Sequence, residues 1–185
     1  MKKISAWLLA LVLGFGFGQA LAEDTAPPAK NNTLPEATTY QIRNVKYQEL
    51  LRPRDANSAN GTPIVLYPAE PWKCMTWRLQ PAGESAFHLK NLFTSKTICA
   101  TGDASAPNNF VTQVPLTKDT NASPAWQFIK QADGNYEITD VKSGQALTAN
   151  KEADSGALRI VTAPWQNQDE QKWTLEKMDP KDLTM

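Results

Sequence analysis

One short pattern occurs three times in this chain at nearly constant spacing. It reads Tyr40-Gln-Ile-Arg-Asn-Val, then Phe87-His-Leu-Lys-Asn-Leu, then Tyr136-Glu-Ile-Thr-Asp-Val. Each copy is aromatic, any residue, aliphatic, any residue, Asn or Asp, aliphatic. Apolar residues alternate with period two, the period of a half-buried β-strand. The copies start 47 and 49 residues apart. A second landmark keeps the same period from the other end of the unit. Trp77, Trp126 and Trp173 are 49 and 47 residues apart, and Leu79, Phe128 and Leu175 follow two residues after them. Two independent landmarks on one period define an internal repeat, which constrains a fold more tightly than any local propensity.

The interior of each unit repeats too. A short apolar strand follows the opening one, at Glu49-Leu50-Leu51, Thr97-Ile98-Cys99-Ala100 and Gln145-Ala146-Leu147-Thr148. A polar loop leads to a third strand, at Pro63 to Tyr67, Phe110 to Val114 and Leu158 to Val161, and the Trp strand closes the unit. Four strands per unit could build propeller blades, but a propeller needs at least four blades to close. Three four-stranded units predict an all-β chain folded as a β-trefoil, a six-stranded barrel with a hairpin cap. The repeats are expected at about 39–86, 87–135 and 136–178, with 179–185 as a loose tail.

The first 38 residues do not share the repeat. Lys2 and Lys3 precede an uncharged apolar run from Ile4 to Phe17, and Ala20-Leu21-Ala22 is a small-x-small cleavage site. That is the pattern of a signal peptide cut after Ala22, which implies a secreted or periplasmic protein with no transmembrane segment left after cleavage. Residues 23–38 are rich in Pro, Ala, Asn and Thr and read as a flexible linker. The remaining 163 residues hold 17 Lys+Arg against 19 Asp+Glu. A slightly acidic chain lacks the basic surface that phosphate backbones require, so nucleic acid is not an expected partner. Cys74 and Cys99 are the two cysteines, and export to an oxidising compartment predicts that they pair.

The Trp landmark resembles the Gln-x-Trp motif of ricin-type β-trefoil lectins over Thr39 to Lys177. Gln171-Lys172-Trp173 keeps it whole, while Met75 and Pro124 stand in the Gln position of the other two units. The resemblance implies a sugar pocket per repeat, built from an Asp after the second strand, an aromatic ending the third strand, and an Asn before the Gln-x-Trp. The aromatic is present as Tyr67, but Leu51 or Arg52 holds the Asp position and Cys74 the Asn position. In the second repeat Val114 stands in the aromatic position, Ser123 in the Asn position and Cys99 or Ala100 in the Asp position. In the third, Thr148 replaces the Asp and Glu170 the Asn, and no aromatic ends the strand, though Trp165 lies just beyond. No repeat keeps the full set. The run Trp77 to Pro81 with Phe87 to Leu92 also resembles the accessory subunits of the cytolethal distending toxins, exported proteins with one such trefoil behind a flexible leader.

Trp77, Trp126 and Trp173, with Gln171, are expected in the core. Tyr67 with Trp72 and Trp165 with Asn167 are the candidate ligand platforms, since Trp and Tyr in polar loops offer contact area at small entropic cost. His88, the single histidine, lies between two inward residues and is expected to face solvent, without partners at zinc-ligand spacing. Gly83-Glu84-Ser85-Ala86 lacks the closing glycine of a nucleophile elbow. No catalytic residue, metal or cofactor is expected. The expected function is a non-catalytic carbohydrate-binding module, with a glycan or glycoprotein surface as partner. The alternative is the cell-binding subunit of a toxin complex, and a trefoil protease inhibitor is a more distant one.

Overall fold

The computed structural model describes residue 34 and residues 38–83, 86–101, 110–117, 123–151 and 158–184. The signal peptide and most of the linker expected before residue 38 lie outside these. The first repeat supplies β1 (Thr39–Asn44), β2 (Leu50–Pro53), β3 (Ile64–Tyr67) and β4 (Thr76–Pro81). The second supplies β5 (Ala86–Asn91), β6 (Thr97–Ala100), β7 (Val111–Val114) and β8 (Trp126–Lys130). The third supplies β9 (Tyr136–Asp140), β10 (Ala146–Lys151), β11 (Leu158–Ala163) and β12 (Lys172–Lys177).

The first and fourth strands of the repeats pair in a closed antiparallel ring, β1 with β4, β4 with β5, β5 with β8, β8 with β9, β9 with β12, and β12 with β1. Closure leaves this barrel no free edge. The second and third strands form three hairpins, β2–β3, β6–β7 and β10–β11. They join into a cap through three single bridges at equivalent positions, Pro63 to Thr112, Phe110 to Val161 and Arg159 to Val65. The fold is the β-trefoil that the repeat predicts.

The repeat is visible atom by atom. Each indole is fully buried and donates to a carbonyl on the second strand of its own unit: Trp77 to Leu51 at 2.9 Å, Trp126 to Ile98 at 3.1 Å, Trp173 to Leu147 at 3.0 Å. The indole thus clamps each cap hairpin to the barrel and satisfies its only polar group. The Asn or Asp of the opening strand caps the following turn. Asn44 Oδ1 accepts from the Lys46 and Tyr47 amides, Asn91 Oδ1 from those of Phe93 and Thr94, and the Asp140 carboxylate from Ser143. Four residues on, each turn enters the left-handed region at Gln48, Ser95 and Gly144.

Three expectations are corrected. His88 is 1% exposed, and its Nδ1 lies 2.8 Å from the Pro124 carbonyl. Its strand does alternate, but the loop entering β8 covers the outer face; Gln41, on the equivalent face of β1, bonds the Glu70 carbonyl in the same way at 2.7 Å. The segment after Asp179 is folded rather than loose. It forms a 3₁₀ turn at Pro180–Asp182 and buries Leu183. Finally, Cys74 and Cys99 are free thiols. Cys74 is buried with Leu50 and Met75 beneath the first repeat, with Arg52 nearby. Cys99 lies on the second cap hairpin, where its thiol bonds the Ala100 carbonyl and Asp140 and Lys142 supply the nearest charges. The fold places them in different packing units, which a count of two cysteines does not reveal. Burial pushes both thiols above their ordinary range, which slows thiolate chemistry near neutral pH. The protein unfolded in guanidinium without reductant is expected to take up two equivalents of a thiol reagent. In the native state Cys74 should react more slowly than the partly exposed Cys99. No uptake on unfolding would mean that a disulfide had formed after all.

Candidate functional site

The first repeat gathers its aromatics on one surface. The β2–β3 register sets Leu50 opposite Tyr67 and Arg52 opposite Val65. Tyr67 ends β3 and is 42% exposed. Its ring centre is 6.0 Å from that of Trp72, with the planes inclined by 32°. The Arg52 guanidinium sits 4.6 Å from the Tyr67 ring centre and 5.8 Å from that of Trp72, a double cation–π arrangement. Trp72 packs against the Leu50, Cys74 and Met75 cluster and is half-buried. Its loop is tied on two sides. Gln41 bonds the Glu70 carbonyl, and the C-terminal segment lies alongside, with Thr184 N donating to Pro71 O at 2.8 Å and Lys73 N donating to Thr184 O at 3.1 Å. Trp72 is thus held by backbone pairing with residues the sequence reading assigned to a tail.

In the third repeat Gln171, 2% exposed, fastens the loop before β12. Its Nε2 donates to Pro164 O at 2.8 Å and to Thr148 Oγ1 at 3.2 Å, and its Oε1 accepts from Gln166 N at 2.7 Å. This is the work of the Gln in Gln-x-Trp; the first repeat fills the place with buried Met75. A concavity of about 360 Å³ opens beside it, and its lining includes Tyr47, Thr148, Asn150, Lys151, Gln168 and Glu170. Trp165 and Asn167 do not line it. Trp165 is half-buried in the fastened loop, and Asn167 is exposed with φ of 57°. The third-repeat platform expected from sequence is therefore not assembled. Tyr47, contributed from the turn after β1, is the aromatic that sequence reasoning missed. It belongs to another repeat, and no spacing within the third unit could point to it.

The indole bonds fix the equivalence of the three sites. Because Leu51, Ile98 and Leu147 accept them, Arg52, Cys99 and Thr148 occupy one position, and the strand registers make Tyr67, Val114 and Ala163 another. An aromatic at the second position occurs in the first repeat alone. Among the described residues there is no group of three or more His, Cys, Asp or Glu side chains able to hold a metal ion. No described helix is long and apolar enough to cross a membrane.

A family model for the ricin-type beta-trefoil lectin domain matches residues 38–173. The chain belongs to that family. The lectin domain is also similar to several solved structures. One is the designed threefold-symmetric protein ThreeFoil, at 20% identity and a TM-score of 0.66 over 74% of this chain and 96% of that one. The cytolethal distending toxin of Actinobacillus actinomycetemcomitans gives 16% identity and a TM-score of 0.61 over 75% and 90%. An earthworm lectin C-terminal domain mutant, in complex with 6'-sialyllactose, gives 16% and 0.60 over 76% and 99%. At these identities the likeness is one of fold. A search of curated proteins gave no match. Family membership places the protein among carbohydrate-binding modules.

Proposed function

We propose that this is an exported, non-catalytic lectin domain whose working surface is the first repeat. The observation that carries the reading is the Tyr67–Trp72 pair, exposed on one side and held from behind by Gln41 and Thr184. A sugar's apolar CH face stacks on such a ring pair, while polar groups at the rim set its orientation. The second and third repeats, with Val114 and Ala163 in the aromatic position, are degenerate in this scheme. The experiment is a glycan array with the mature protein, followed by titration of the hits against Tyr67→Ala and Trp72→Ala. Each substitution is expected to weaken binding about tenfold or more, the loss of one stacking contact. Tyr67→Ala should barely move the urea midpoint, since the side chain is already 42% exposed. An array without hits, or hits indifferent to both substitutions, would overturn the assignment.

A second reading has its own support. The cytolethal distending toxin likeness covers 90% of that chain, and Phe93 is 44% and Val141 57% exposed, at turns following β5 and β9. As the cell-binding subunit of a multi-subunit toxin, the protein would offer these turns to other subunits. A defined complex with products of neighbouring genes would favour it, and failure to co-purify with them would count against it.

A further inference from the structure

We infer that the first-repeat surface selects acidic saccharides, with Arg52 as the group that reads the anion; the inference rests on the glycan-binding role just proposed. Arg52 is 6% exposed, so little of the residue reaches bulk water. Burying a cation is costly unless an anion or a full set of acceptors compensates. Among the described residues Arg52 has neither. Its Nε donates to Pro53 O at 3.1 Å, and no other hydrogen bond and no acidic partner reaches it. Of the five N–H donors of a guanidinium, four stay unused. The buried polar atoms without partners include Arg78 Nε and His88 Nε2 but neither terminal nitrogen of Arg52, so what little of Arg52 is exposed includes those nitrogens.

The rings do not use these donors. A cation–π contact engages the flat face of the guanidinium and leaves its in-plane N–H groups free. Held 4.6 Å from the Tyr67 ring centre, the Arg52 guanidinium is a cationic fork beside the stacking platform. Such a fork matches the paired oxygens of a carboxylate or a sulfate ester in bidentate fashion, and the match is stronger for being charge-assisted. The other repeats carry Cys99 and Thr148 at this position, beside Val114 and Ala163. At these two positions cation and aromatic meet in one repeat of the three. A sugar ring stacked on Tyr67 and Trp72 would carry its acidic substituent over Arg52.

The test is a matched ligand series titrated against the mature protein by ligand-observed NMR: digalacturonate, its methyl ester, neutral digalactoside and galactoside 6-sulfate. Digalacturonate is expected to bind about tenfold or more tighter than the ester and the neutral sugar, and the preference should shrink as salt rises. The sulfate tells a carboxylate-specific site from a general anion site. Arg52→Met, which keeps the packing stem, should bring the ratio of acid to ester affinity to about one, and that ratio is the readout. If that variant fails to fold, the ester comparison on the unaltered protein still decides. Equal affinity for acid and ester, with Tyr67→Ala still weakening both, would overturn the role of Arg52 and leave the lectin surface standing. Binding that ignores Tyr67→Ala and Trp72→Ala would remove both.

Discussion

Trp126→Ala is expected to bring the protein to the edge of unfolding, whereas Trp126→Phe should leave it folded but weakened. The indole is fully buried at the junction of barrel and cap, in the main core cluster with Phe87, Phe128 and Ile98. Truncating a buried Trp to Ala typically costs about 3–5 kcal/mol in lost transfer energy and residual cavity. Here the Ile98 carbonyl also loses its donor, the indole Nε1 at 3.1 Å. A buried carbonyl left unpaired costs about 1–3 kcal/mol, partly relieved if water enters the cavity. Domains of this size have only about 5–15 kcal/mol in total. Phenylalanine refills most of the cavity and retains most of the apolar burial, so the unpaired carbonyl and a smaller void remain, at about 2 kcal/mol. Urea denaturation followed by circular dichroism measures both, read as midpoint shifts at constant slope. If Trp126→Phe matched the native midpoint, the indole bond would contribute nothing and the clamp account would fail. Equivalent changes at Trp77 and Trp173 should behave alike, because the three donors face equivalent carbonyls at 2.9–3.1 Å.

What could be read from the sequence follows from which interactions the repeat duplicates. The barrel core shows because its residues alternate along strands and recur in each unit: Ile42, Leu89 and Ile138 are all fully buried. The tryptophans show for the same reason. The outer face of the barrel does not show. Gln41 and His88 look like solvent residues until the loops entering β4 and β8 fold over them, and loop courses leave no periodicity. The candidate site was half legible. Tyr67 and Trp72 stood out as aromatics in polar surroundings, and the structure brings them together. Arg52 could be aligned with the family's Asp position, but that it lies on the Tyr67 ring depends on a side-chain direction that spacing does not encode. The contribution of Thr184 was hidden because it acts through backbone, which any sequence supplies. The pairing of Cys74 with Cys99 failed because export makes a bridge chemically permissible without making it geometrically available.

The Asn of the opening strand carries the second large prediction. Asn91 is 1% exposed and uses both ends of its amide. Oδ1 accepts from Phe93 N and Thr94 N, each at 3.1 Å, and Nδ2 donates to Cys74 O at 2.9 Å. It therefore caps its own turn and ties the second repeat to the segment leading into the first repeat's tryptophan. Asn44 makes the corresponding tie to Glu170 O at 3.0 Å, so the first repeat is joined to the third in the same way. Asn91→Asp keeps the acceptor half and inverts the other, setting a carboxylate oxygen against the Cys74 carbonyl. The lost donor and the buried unpaired carbonyl together should cost about 2–4 kcal/mol at pH 7. Burial and the facing carbonyl raise the new carboxyl's pKa in the folded state, and the two amide donors only partly oppose them. A group whose folded pKa lies above its unfolded value of about 3.9 favours the fold below that value and loses the advantage as pH rises through the folded one. The protonated acid can also donate to Cys74 O. The gap between Asn91→Asp and the native protein should therefore narrow from pH 7 to pH 4, whereas Asn91→Ala, which removes every partner and titrates nothing, should keep a pH-independent deficit. Urea midpoints for the three proteins at the two pH values distinguish these cases. An aspartate variant within about 0.5 kcal/mol of native at pH 7, the range expected of an ordinary surface change, would mean that the tie between repeats is not made through this amide.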